Sequence, residues 1–227
     1  MQSVAKPSLP HPPEPLTLLL AQWGLAAASP APATERLGSC LGWADAIGLS
    51  KVLAAAPGRA ASDSARQEAV QRARAALDRL RAGSADASDH AELAVDSSEP
   101  LIEESLPADK LAPYLQHFVL QQRSQASRIP PLRDEIRACM ERAGGELAHI
   151  AQLDQFFERA MAEPERAALS RLADLLAKRA KQHYIGNPRR WRSQLWSDLQ
   201  RLLRADLDQR LQPVLGLVEA LSTSKSP

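Results

Sequence analysis

Seven large apolar residues, Trp191, Leu195, Leu199, Leu202, Leu203, Leu207 and Leu211, follow one another at steps that place them on one face of an α-helix. Each contributes about 1.5–3 kcal/mol when fully buried, so this face demands partner helices. The stripe begins at a tight basic corner, Gly186-Asn187-Pro188-Arg189-Arg190-Trp191-Arg192. Gly186 suits the end of one helix, Asn187 the cap of the next, and Pro188 its first turn, where a missing N–H costs nothing. The stretch from Lys178 to Leu221 therefore reads as helix, corner and long helix. Pro213 removes an internal hydrogen bond and clashes with the carbonyl four residues back. The terminal helix is expected to kink or restart there, with Val214, Leu215, Val218 and Leu221 packing in their own bundle or on another subunit.

The rest of the chain obeys the same period. The 44% hydrophobic content is mostly Leu and Ala, aromatics are 4%, and β-branched runs are few, which makes the fold class all-α. Leu111, Tyr114, Leu115 and Phe118 form a stripe expected to close at Pro130-Pro131. Pro131 then suits the start of a helix carrying Leu132, Ile136, Cys139 and Met140, stopped by Gly144-Gly145. Leu147, Ile150, Leu153, Phe157 and Met161 make another, interrupted at Pro164, and Leu169, Leu172, Leu175 and Leu176 carry the next to about Ile185. Short turns between such helices make antiparallel neighbours.

The N-terminal part is thinner. Five prolines within residues 1–15 deny that segment the amides of regular structure, so it reads as a disordered tail. A helix is expected from Leu16 to Ala28. The apolar run followed by Ala31-Pro32-Ala33 has some features of a signal peptide, but Glu14 and a lone Lys6 before it do not make a positively charged start. A second helix, about Ala33 to Ala56, is capped by Thr34. Its glycines at 38, 42 and 48 each cost about 1 kcal/mol in a helix interior, which implies close approach by a neighbouring backbone. A third, from Ser62 or Asp63 to Ala82, has an alanine stripe that buries little. The expected organisation is a tail at 1–15, an N-terminal helical arm at 16–82, an acidic flexible linker at 83–106, an antiparallel helical bundle at 107–222 and a disordered tail at 223–227.

Charge is the second organising feature. Net charge is +1, yet Gly83–Asp109 holds eight acids and no Lys or Arg, while Pro164–Arg204 holds ten basic residues against three acids. Arg189, Arg190 and Arg192 stand at the positive end of the second helix's dipole, where cations are disfavoured. Rules of this kind are broken where a neighbour compensates or where function demands it. The candidate binding set is Lys178, Arg179, Lys181, Tyr184, Arg189, Arg190, Trp191 and Arg192. Three uses compete: a solvated surface neutralised by the acidic linker, a dock for an acidic protein partner, and a phosphate or nucleic-acid site with Tyr184 or Trp191 as a stacking face.

Chemistry is not signalled. There is no phosphate-cradling glycine loop, no dinucleotide fingerprint and no nucleophile elbow. His149 follows Glu146 by three residues, half of a carboxylate-bridged metal motif whose second half is missing. Cys40 and Cys139 are too far apart in sequence to suggest a disulfide framework. No catalytic residue, metal or cofactor is expected. The apolar run at 16–28 is shorter than the roughly 20 residues a membrane span needs. The expectation is a non-enzymatic cytoplasmic protein with no membrane span, its oligomeric state open.

Four stretches carry a resemblance: Leu41-Gly42-Trp43-Ala44-Asp45-Ala46-Ile47, Pro131-Leu132-Arg133, the hairpin with Pro188-Arg189-Arg190-Trp191, and Leu211-Gln212-Pro213-Val214-Leu215-Gly216-Leu217-Val218-Glu219-Ala220-Leu221. Together they resemble an uncharacterised proteobacterial domain-of-unknown-function family of helical proteins, over most of the chain. The family has another tryptophan before Trp43 where this chain has Cys40 or its neighbours, which implies no function for Cys40. The resemblance brings no catalytic residues. It implies a cytoplasmic accessory of an envelope complex; the alternative, nucleic-acid or phosphate binding through 178–192, rests on the basic corner itself.

Overall fold

The computed structural model describes residues 16–25, 41–55, 63–85 and 105–223. Seven helices and no strand are found among them: α1 (Leu16–Gln22), α2 (Trp43–Ala54), α3 (Asp63–Ala85), α4 (Ala108–Ala143), α5 (Gly145–Ser170), α6 (Leu172–Gly186) and α7 (Trp191–Thr223). The all-α expectation holds. Residues 1–15, residues 86–104 of the linker expected at 83–106, residues 224–227, Thr34, Gly38 and Cys40 lie outside the described residues; residues 83–85 continue α3 instead of opening the linker, and Thr223 ends α7 instead of opening the tail.

Two of the expected helix breaks are absent. Pro130 and Pro131 lie inside α4, and Pro164 lies inside α5. Each internal proline costs about 3 kcal/mol or more. In α4 that cost is outweighed by Ile129, Leu132 and Ile136, buried on either side of the pair, while both prolines face solvent. Pro213 likewise lies inside α7, exposed between buried Leu211 and Val214, so the helix does not restart there. The end of α7 packs at home: Val214, Leu217, Val218 and Leu221 are buried in its own chain's core.

The breaks that do occur are at glycine and at Arg171. Gly144 and Gly145 have φ of 66° and 58°, and Gly144 N–H donates to the carbonyls of Met140 and Glu141, which turns α4 back into α5. Arg171 separates α5 from α6, seven residues beyond the break expected at Pro164. The chain therefore runs along α4, returns along α5 and α6, and runs out again along α7. Helices α4 and α7 are thus parallel, with Tyr114 against Trp191 near both starts and Ala143 and Leu221 in one core near both ends.

Two cores sit at opposite ends of this rod. The tip core joins Leu16, Leu19, Leu20 and Trp23 from the α1 region with Tyr114 and Phe118 of α4, Leu176 and Tyr184 of α6, and Trp191 to Ala205 of α7. The far core joins Ala69 to Leu80 of α3 with Ile129 to Ala143 of α4, Leu147 and Ala151 of α5, and Leu207 to Leu221 of α7. The stretch expected as an arm at 16–82 is therefore divided: α1 packs in one core and α3 in the other. The alanine stripe of α3 is what lets it seat there, since Ala69, Ala73 and Ala76 are buried by close helix approach.

Helix α2 belongs to neither core and packs on α5. Its start is later than expected: Gly42 is the N-cap, its N–H donating to Asp45 Oδ2 at 2.9 Å. Gly48 does meet a close neighbour, but it is a side chain and not the backbone expected from the sequence. A Cβ built there would stand 2.8 Å from the Phe156 ring.

Candidate functional site

The basic corner forms as a hairpin tip. Asn187 N–H donates to the His183 carbonyl at 2.8 Å, Arg190 N–H to the Asn187 carbonyl at 3.1 Å, and Arg189 N–H to Asn187 Oδ1 at 3.1 Å. Asn187 is not the N-cap expected from the sequence: it closes α6 as its C-cap, its side chain holds the turn at 188–190, and α7 begins at Trp191, three residues after Pro188.

The eight candidate residues separate into two groups. Tyr184 and Trp191 are core, 3% and 1% exposed, with ring centroids 6.2 Å apart and Tyr114 packed on Trp191 at 5.5 Å. They offer no stacking face, because large aromatic area is worth most to this chain inside its small tip core. Arg179 is also structural: its Nε donates to Asp198 Oδ2 at 2.7 Å, and its guanidinium lies over Trp23 at 5.6 Å from the ring centroid. Arg192 is half-buried, its guanidinium 5.6 Å from the Trp191 ring centroid. Lys178, Lys181, Arg189 and Arg190 stand exposed, and on the same hairpin Ile185 is 80% exposed.

Asp198 was not expected. It sits on the buried stripe of α7 beside Leu195 and Leu199, and its carboxylate receives Arg179 and His183 Nε2, each at 2.7 Å. Arg201 reaches it at 3.9 Å while also donating to Gln22 Oε1. Part of the corner's charge is therefore answered from within α7. The signal was an aspartate seven residues after Trp191, at a stripe position. Residues 86–104 lie outside the described residues; Asp109 is exposed on α4.

A second ionic cluster clamps α4 to α5. Arg133 donates to both oxygens of Asp154, at 2.8 and 2.6 Å, while Arg137 Nη1 lies 3.0 Å from Asp154 and 2.6 Å from Glu158. Burial works against the charge of Arg137, but the carboxylates of Asp134, Glu158 and Asp154 outweigh it and hold its pKa above the ordinary guanidinium value. Every charge here has a partner, as a buried network requires.

Among the described residues no group of three or more His, Cys, Asp or Glu is placed to hold a metal, and no helix is long and apolar enough to cross a membrane. A shallow groove of about 350 Å³ lies between α3 and α4, lined by Ala76, Arg79, Arg128, Pro131 and Glu135, well away from the tip.

The fold and its sites define an all-helical protein with a cationic hairpin tip on an aromatic platform. Residues 2–223 match the family described as "Protein of unknown function (DUF3348)", and the chain belongs to it. It matches no curated protein and no solved structure.

Proposed function

We propose that this chain is a non-enzymatic docking or assembly protein whose contact surface is the hairpin tip, and that its partner is an acidic protein surface. One observation carries the reading: four exposed cations, Lys178, Lys181, Arg189 and Arg190, share the hairpin with Ile185, which is 80% exposed, over a base of buried Tyr184 and Trp191. Cations of this kind steer encounter, while a central apolar side chain supplies area that leaves water on binding. A nucleic-acid backbone has no apolar seat for isoleucine, and the aromatics that would have stacked on bases are buried. A cytoplasmic setting beside an envelope complex is the proposed context, supported by the family resemblance alone.

Affinity capture from the native cell tests the reading, with the intact chain compared against Arg189→Ala/Arg190→Ala and against Ile185→Ser. Loss of the same partner from both variants is the expected result. If all three forms recover identical partners, the tip is not the docking surface. Salt-sensitive binding to DNA or RNA that the double arginine variant abolishes would replace the protein partner with a nucleic acid.

A further inference from the structure

Asp206 lies at the boundary between the two cores. Its neighbours Ala205 and Leu207 belong to the tip core and the far core respectively, and Asp206 itself is 0% exposed. Arg210 Nε donates to its Oδ1 at 3.0 Å from the next turn of α7. Gln122 faces the carboxylate from α4 while donating to the Leu169 carbonyl near the end of α5. Asp206 Oδ2 has no hydrogen-bond partner, and neither does Oε1 of Gln125, buried on the same stretch of α4. An unmatched buried acceptor carries its full desolvation cost, and this level of the rod holds two.

The surrounding helices are weak near the same level. Helix α4 lacks backbone donors at Pro130 and Pro131, little more than a turn beyond Gln125. The return path breaks at Arg171, two residues after the carbonyl that Gln122 holds. From 152 to 168, α5 buries no residue, although it carries Leu153, Phe156, Phe157 and Met161. Apolar burial stops on α4 after Phe118 and resumes at Ile129.

We propose that the layer of Gln122, Gln125, Asp206 and Arg210 is a conformational joint at which the tip core and the far core open as separate units. Regions with few buried apolar contacts open locally at lower free energy than the cores around them, and here such a region spans α4 and α5, while α7 keeps apolar burial on either side of Asp206 through Leu203, Ala205 and Leu207. The hairpin tip thereby keeps its shape while its attachment to the α3 end loosens.

The joint responds to pH. Burial raises the Asp206 pKa above the ordinary carboxylate value, against the lowering influence of Arg210 and Gln122. The groups that act on it are Arg210 from its own helix and Gln122 from α4, and Gln122 also ties the layer to the end of α5 through the Leu169 carbonyl. A carboxylate with a raised folded-state pKa gives its full stabilisation below the unfolded value of 3.8 and loses it as pH rises through the folded value. The joint is therefore tightest when Asp206 is protonated and loosens as the pH climbs.

Native-state hydrogen exchange read by mass spectrometry, on the full chain in rising urea, tests this. The amides of 204–210 are expected to exchange first, followed by the two flanking cores at different urea concentrations, with a gap that widens as pH rises. Asp206→Leu, which removes the charge and fills the layer with apolar atoms, is expected to merge the two steps. Asp206→Asn, which keeps the shape without the charge, is expected to leave a gap that no longer follows pH. Loss of protection from both cores in a single step at every pH in the wild type would overturn the joint. A gap in Asp206→Asn that follows pH as in the wild type would overturn the role of the carboxylate. If Asp206→Leu fails to fold, the wild type and Asp206→Asn still decide both points.

Discussion

The two ends of this molecule solve the same packing problem with different side chains. The tip core holds Trp23, Tyr114, Phe118, Tyr184 and Trp191, whereas the far core has no aromatic residue and is built from Leu, Ile, Val, Met, Cys and the alanines of α3. Large rings fill the space between helices by themselves, so the tip needs only short α1 and α6 to close it. Alanines fill little, so the far end must bring α3 close to α4 and α7 to exclude water. One end is therefore vulnerable to lost volume and the other to added volume.

The largest expected effect is at the tip. Trp191→Ala removes a wholly enclosed indole and is expected to destabilise the chain by about 3–5 kcal/mol in urea unfolding. A loss below about 1 kcal/mol would mean that the aromatic platform does not hold the hairpin. Asp154→Ala comes next, leaving Arg133 and Arg137 buried without their shared carboxylate, at about 3–5 kcal/mol. Its tip counterpart, Asp198→Ala, should cost less, because the Arg179 side chain is 26% exposed and can return to water. Equal losses from the two aspartates would remove the distinction drawn between a dry clamp and a hydrated one.

Smaller effects test the far end and its satellite. Ala73→Leu adds volume where α3 is fully enclosed and is expected to cost about 1–3 kcal/mol, with an unchanged or raised stability contradicting tight seating of that helix. Gly48→Ala pushes a methyl group into the Phe156 ring and should loosen α2 from α5, visible as faster amide exchange in 43–54 with the two cores unaffected. Pairing it with Phe156→Ala should restore protection. The smallest effect belongs to Arg189→Ala/Arg190→Ala, which should change stability by no more than about 0.5 kcal/mol, since these side chains are exposed and oppose the dipole of α7. A clear loss of stability there would assign the arginines to the fold and remove them from docking.

Most of the helices were legible because their signals are local. The stripe of α7, the Gly144-Gly145 turn and the corner after Gly186 each depend on residues within a few positions of one another. Breaks at proline were not legible: the penalty is local, but the burial that outweighs it at Pro130-Pro131 comes from α3 and α7. The candidate site was half legible for the same reason. Its cations could be found from charge alone, whereas the burial of Tyr184 and Trp191 and the exposure of Ile185 depend on which side of the hairpin faces α4. The α4–α5 clamp left a trace that spacing could have revealed, since Arg133 and Arg137 stand nearly as far before Gly144-Gly145 as Asp154 and Glu158 stand after it.

By itself the sequence determined that the chain is helical, that it turns at Gly144-Gly145 and after Gly186, and that a basic corner stands at the second of these, because helical period, glycine geometry and formal charge are properties of neighbouring residues. Only the tertiary structure decided that the supposed arm is shared between two cores, that half of the candidate site is the platform for the other half, and that Asp206 occupies a buried polar layer between unlike ends. Those outcomes depend on water exclusion between segments far apart in the chain, and water exclusion exists only once the helices have packed.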